Sequence, residues 1–161
     1  MKSIYLAGGC FWGVQEYFSR IPGVKSTRVG YANSKTENPT YKQVCSGSTR
    51  AAETLHLEYD ENIIKLDKIL DYYFRIIDPV SINRQGADVG TQYRTGIYFT
   101  DNKDQDEINK VTEKIQKSYK ERLAVEIQPL GNFYDAEEYH QDYLKKNPGG
   151  YCHVDVSRLD E

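Results

Sequence analysis

The chain has a single methionine, a single tryptophan, three histidines and five prolines among 161 residues. It has no apolar run long enough to cross a bilayer, which argues against a membrane-spanning helix. One lysine and a short apolar stretch precede the first glycines, too little for a secretory signal. An excess of one charge sign is also missing: 21 Lys and Arg against 24 Asp and Glu leave a formal net charge of -3. That balance gives no electrostatic reason to bind nucleic acid or an anionic membrane. Cys10, Cys45 and Cys152 are the only cysteines, widely separated and odd in number, and no Cys-x-x-Cys pair occurs. Neither a zinc site nor a disulfide framework follows from them. The sparse histidines imply no metal, and no cofactor is called for. Unpaired cysteines without a signal point to a reducing, cytoplasmic setting, where a thiol is either inert or working. The length suits one domain, residues 1–161, with a real core, and nothing asks for more than a monomer. What the chain has in abundance is tyrosine, 14 of them, most expected to pack with the hydroxyl at the surface.

The most informative stretch is Gly8-Gly9-Cys10-Phe11-Trp12-Gly13. It follows Ile4-Tyr5-Leu6-Ala7, which reads as a buried strand. It opens a segment with Val14, Tyr17, Phe18 and Ile21 at helical spacing. A cysteine therefore stands where a strand passes through glycines into a helix N-terminus. Unpaired amides and the positive end of the helix dipole favour an anion there and lower a thiol's pKa. Phe11 and Trp12 follow at once, and the flanking glycines let other groups come close. The stretch describes a reactive thiolate beside an apolar pocket. The alternative is a small, buried, inert cysteine; two bulky aromatics at a helix start, costly to leave half exposed, favour function.

Strands are expected over residues 3–7, 24–31, 53–60, 95–100 and 125–130. Helices are expected over 11–20, 66–77, 104–121 (capped by Asp101-Asn102) and 136–146, with a short helical turn over 41–45. Residues 78–94, with Pro79, Gly86 and Gly90, form a loop long enough to suggest function. Strand, helix, strand, strand, helix, strand is the split βαβ order of ferredoxin-like folds. The expected architecture is a two-layer α+β domain with one mixed sheet, extra helices and an extended tail from about residue 147.

The Gly9-Cys10-Phe11-Trp12-Gly13 motif resembles that of the methionine sulfoxide reductase A family, peptide reductases specific for the S epimer. Asn38-Pro39-Thr40-Tyr41 is similar to the family's substrate loop, and Glu53 to its acid. Gly86-Ala87-Asp88-Val89-Gly90-Thr91-Gln92-Tyr93-Arg94 resembles its long-loop signature. Ala136-Glu137-Glu138-Tyr139-His140-Gln141 resembles a late helix motif, and Gly150-Tyr151-Cys152 the segment with the recycling cysteine. Six blocks in order cover nearly the whole chain. Two departures stand out: Arg50-Ala51-Ala52 replaces the common Gly-His-Ala, and Ala87 replaces a common Asn.

Reducing a sulfoxide requires a nucleophile for sulfur and a neutral acid for the departing oxygen. Cys10 is placed for the first role. Glu53, at the start of a core strand, would hold its proton near neutral pH if desolvated; the alternative is a solvated carboxylate. The resemblance implies that Tyr41 and Tyr93 polarise the sulfoxide oxygen, where the residues alone suggest loop anchors. It implies that Asp88 belongs to the same polar network, against the simpler reading of a salt partner for Arg94. Phe11 and Trp12 would seat the S-methyl group, and a seat that separates methyl from oxygen reads the sulfur's handedness. The product on Cys10 is a sulfenic acid, which a second thiol condenses to a disulfide. Cys152 is the candidate, with Cys45 as rival unless Cys45 is a buried packing residue, and thioredoxin is the implied reductant. His56 and His140 read as structural, and His153 could tune Cys152. A different thiol catalyst, such as a peroxidase, would explain Cys10 but leave Glu53, Tyr41 and Tyr93 unused. A module that only captures oxidised methionine would have no need of both Cys10 and the acid.

Overall fold

In β1 (Lys2–Gly8), Ile4 and Leu6 enter one buried cluster while Tyr5 and Ala7 line another, the two-residue period of a strand. The computed structural model, covering residues 1–161, pairs β1 antiparallel with β3 (Ala52–Tyr59), which pairs antiparallel with β2 (Val24–Ala32). The two-residue strands β4 (Arg84–Gln85) and β5 (Asp88–Val89) form a separate hairpin inside the long loop. On the far side of β1 lies β6 (Thr95–Phe99), also antiparallel. The order β6-β1-β3-β2 is the ferredoxin-like arrangement expected from the element sequence. Outside it, β7 (Glu126–Pro129) adds parallel to β6 and β8 (Phe133–Asp135) antiparallel to β2, so the sheet has six strands and is mixed.

Two amphipathic helices, α1 (Phe11–Ser19) and α3 (Leu66–Ile76), cover one face of this sheet. Ile4, Leu6, Val29, Leu55, Leu57 and Ile97 from the strands meet Phe18, Ile69, Leu70 and Tyr73 in a cluster of 26 buried residues. At roughly 1.5–3 kcal/mol for each large apolar side chain buried, this cluster dominates the favourable side of folding. The other face carries only Ala7, Ala32, Ala52 and Tyr98, edged by half-buried Tyr5, Leu130 and Phe133. Glu53 shares the phase of Leu55, Leu57 and Tyr59, so the strand period turns this carboxyl inward under α1. No helix is long and apolar enough to cross a membrane.

Several boundaries differ from expectation, each for a visible reason. Residues 136–146 are not one helix: a 3-10 turn at Glu138–His140 is followed by the four-residue α5 (Tyr143–Lys146). The break lies at Gln141, whose side chain accepts from Val29 N (2.9 Å) and donates to Val29 O (2.8 Å), acting as a further partner for β2. Asp142 then adopts a positive φ of 52°. The helix α4 (Asp104–Gln116) stops short of 121 because the Gln116 amide captures Tyr119 O, Glu121 O and Leu123 N. The tail ends in a 3-10 turn, Val156–Asp160, rather than plain coil. The short α2 (Tyr41–Cys45) forms as expected, with Thr40 and Gln43 in a reciprocal capping box.

Candidate active site

The N-terminus of α1 organises the site. Its first amides have no partner within the helix, and one of them, Phe11 N–H, donates to Glu53 Oε1 at 3.2 Å. Cys10 is the N-cap residue, only 7% exposed. Glu53 is 1% exposed, and its other oxygen, Oε2, is buried with no hydrogen-bond partner. An ionised carboxylate with an orphaned buried oxygen is costly. Burial accordingly pushes the Glu53 carboxyl up to about 8, against the smaller opposing effect of Phe11 N–H. A carboxyl so raised keeps its proton at neutral pH, the desolvated one of the two alternatives that the sequence left open.

The thiol departs from expectation. Burial, and next the neighbouring Glu53 carboxyl when charged, push Cys10 well above the ordinary thiol range; the Trp12 backbone N–H pulls the other way and loses. The helix N-terminus does favour the anion, but desolvation outweighs it. Cys10 thus rests as a thiol beside a protonated glutamate.

Tyr41, at the start of α2, and Tyr93, in a 3-10 turn (Thr91–Tyr93), both lie within electrostatic reach of Glu53. Burial first, and Glu53 second, hold both hydroxyls above their usual range, so both stay donors at neutral pH. Asp88, on β5, acts on Cys10, Glu53 and Tyr93. Its partner is Tyr151, whose hydroxyl donates to Oδ2 at 2.9 Å. Arg94 instead bonds Glu126 at 2.8 Å, so the salt-partner reading of Asp88 fails. Phe11 is 1% exposed and belongs to the core, which leaves Trp12, half-buried and stacked on Tyr143 at 3.8 Å, as the accessible aromatic of the pair. Cys152 is exposed and packs against α1 at Gly13, within electrostatic reach of Cys10. Cys45 is exposed rather than buried, with its thiol in reach of the Tyr41 hydroxyl. The structure therefore brings Cys10, Glu53, Tyr41, Tyr93, Asp88, Trp12 and Cys152 around one helix end.

The family model "Peptide methionine sulfoxide reductase" matches residues 2–161. The chain belongs to this family. A Clostridium perfringens peptide methionine sulfoxide reductase MsrA is 59% identical over 154 residues, covering 96% of this chain and 98% of that one. Mxr1 from Saccharomyces cerevisiae in reduced form superposes with a TM-score of 0.89 at 43% identity, over 94% of this chain and 88% of that one. Mxr1 in complex with Trx2 matches with a TM-score of 0.63 at 30% identity, over 88% and 84% of the two chains.

Against the family pattern, Arg50 takes the place of a common glycine and adopts a positive φ of 58°, a conformation that costs a non-glycine residue about 1–2 kcal/mol. The loop carrying Ala87 is braced by Gln85, whose buried amide clasps Asp78 N (2.8 Å) and Asp78 O (3.0 Å). Three further residues matter that sequence reasoning passed over or set aside. Glu137 accepts from Tyr31 hydroxyl (2.8 Å) and Tyr41 N (2.9 Å), fixing the start of α2. His140, 1% exposed, accepts the Trp12 indole N–H on Nδ1 at 3.0 Å and packs against Tyr41 at 4.4 Å. Gln92 is buried beside Gly90 in the turn that carries Tyr93. Glu53 begins a readable strand; no comparable signal marks Glu137, whose partners lie 106 and 96 residues away, or Gln85, which bonds back across its own loop to Asp78.

Proposed function

We propose that this protein reduces the S epimer of methionine sulfoxide, peptide-bound or free, to methionine. The observation that carries the reading is the buried Glu53 carboxyl, one oxygen without a partner and the other bonded to the same helix end that presents Cys10. The sulfoxide oxygen takes its place among Glu53, Tyr41 and Tyr93, where three neutral donors converge on developing negative charge. The S-methyl group lies against Trp12, with Phe11 beneath. Cys10 attacks the sulfur while Glu53 delivers its proton to the oxygen, and the thiol proton restores the glutamic acid. Oxygen passes to Cys10 as a sulfenic acid and methionine departs. Cys152 then closes a disulfide with loss of water, and an external dithiol reduces it.

Cys152 lines a groove of about 480 Å³ with Leu144, Val154 and Val156, so an incoming reductant can reach that sulfur. The complex of the related Mxr1 with Trx2 supports thioredoxin in this role. The same reading has the protein act as a monomer in the cytoplasm, without metal or cofactor.

Incubation with each sulfoxide epimer and dithiothreitol, with methionine quantified, tests the assignment. Methionine from the S epimer alone is expected; equal yield from the R epimer would refute the proposed seat. Cys152→Ser is expected to release about one methionine per protein and then to stall with thioredoxin, the stoichiometry set by one nucleophile. Undiminished turnover in that variant would transfer the recycling role to Cys45.

A further inference from the structure

Three consecutive tail residues dock on three different parts of the site. The Tyr151 hydroxyl holds Asp88. Cys152 Sγ lies 2.9 Å from where a Cβ on Gly13 would stand, with Val154 against the same glycine at 3.1 Å. His153 Nε2 is 2.9 Å from the Gly8 carbonyl oxygen and 2.9 Å from where a Cβ on Gly9 would stand. A carbonyl only accepts, so Nε2 carries the ring proton and donates it. Burial lowers the proton affinity of His153, in keeping with a neutral ring. Gly9 has a φ of 89°, and a Cβ there would also meet Gln85 at 2.9 Å. Gly9, in the strand-to-helix turn, and Gly13, in the first turn of α1, are therefore sockets for the tail. Gly13 stands three residues past Cys10, just under one helical turn. Cys152 waits beside that turn with its thiol donating to Val154 O at 3.2 Å.

We propose that His153, seated in the Gly9 notch and bonded to Gly8 O, is a positioning residue for disulfide formation, holding Cys152 beside the first turn of α1. The inference rests on the proposed roles of Cys10 and Cys152. In this step the Cys152 sulfur attacks the Cys10 sulfur of the sulfenic acid. The S–S bond forms from the Cys152 electron pair, the Cys10 S–O bond breaks, and the oxygen leaves as water with the Cys152 proton. No further oxidant or reductant is needed. An anchor on the adjacent residue keeps the second sulfur near while leaving its own side chain free to turn, which replaces a search by a loose tail with a short local motion.

The test compares His153→Leu and His153→Gln in the full chain, mixed with one equivalent of an S-sulfoxide peptide and no reductant. Methionine, free thiols and dimedone-trapped sulfenic acid are measured with time. In His153→Leu, the first methionine is expected at the normal rate. Disulfide formation should be about ten-fold slower, the loss of one organising hydrogen bond, while sulfenic acid accumulates. The glutamine amide can still reach Gly8 O, and His153→Gln should recover part of the rate. An unchanged disulfide rate in His153→Leu overturns the proposal. So does a matching loss of the first methionine, which would make His153 a general support of the fold. Cys152→Ser is run alongside: sustained turnover with thioredoxin there refutes the underlying assignment of Cys152, a result distinct from failure of His153 alone.

Discussion

Cys10→Ser is expected to abolish methionine formation from the S-sulfoxide, with dithiothreitol or thioredoxin present. The change is nearly isosteric in a position only 7% exposed, so the helix start and its contact with Glu53 should persist. What is lost is the sulfur. A hydroxyl in that desolvated place ionises far less readily than a thiol, and its oxygen cannot take up the sulfoxide oxygen as a sulfenic acid does. Substrate should still bind, since Tyr41, Tyr93, Glu53 and Trp12 are untouched. Sustained methionine production by Cys10→Ser would remove Cys10 from the nucleophile's role, and Cys45, in reach of the Tyr41 hydroxyl, would be the next thiol to examine.

The second large effect belongs to Glu53→Gln. It keeps the size of the side chain and an oxygen able to accept from Phe11 N–H, but removes the transferable proton. The single-turnover rate is expected to fall by a factor on the order of 10²–10⁴. The pH dependence supplies an independent check. A folded carboxyl raised to about 8 stays protonated below that value and loses its proton above it, so donation by Glu53 declines as pH rises through about 8. Ionisation of the raised Cys10 thiol works in the opposite direction, increasing with pH. The wild-type rate should therefore rise with pH on the thiol limb and stop rising at about 8, where loss of the acid offsets further thiol ionisation; Glu53→Gln should rise on without that break. Rapid-quench measurement of the first methionine across pH reads the rise and the break, and an unaltered rate and profile in the variant would free Glu53 from the acid's role.

Much of this arrangement was legible in the residues. The period-two alternation of Leu55, Leu57 and Tyr59 placed β3, and Glu53 falls in the same phase, which accounts for its burial; the residues alone left a solvated carboxylate open, and the resemblance favoured the buried acid. The strand-to-helix passage through Gly8 and Gly9 placed Cys10 at a helix start. The ionisation of Cys10 was read in the wrong direction because the helix dipole is visible in a sequence whereas desolvation is not. It depends on how tightly β3 and the tail close over that end. The region 136–146 misled for a related reason. Its periodicity suits a helix, but Gln141 is captured by the Val29 backbone and Gln15 Oε1 accepts from Asp142 N at 2.8 Å, two tertiary contacts that outweigh local preference. β8 was missed because three residues are too few to show a period, and its existence depends on the free edge of β2.

Trp12 is the only tryptophan in the chain, and it is held on two sides, by the Tyr143 ring and by His140 Nδ1, at the rim where the methyl group is proposed to sit. All indole fluorescence of the molecule therefore originates at one wall of the catalytic cleft. Occupancy of that cleft can be followed optically without a label, in a variant such as Cys10→Ser that is expected to bind without turning over, and so separated from every later chemical event.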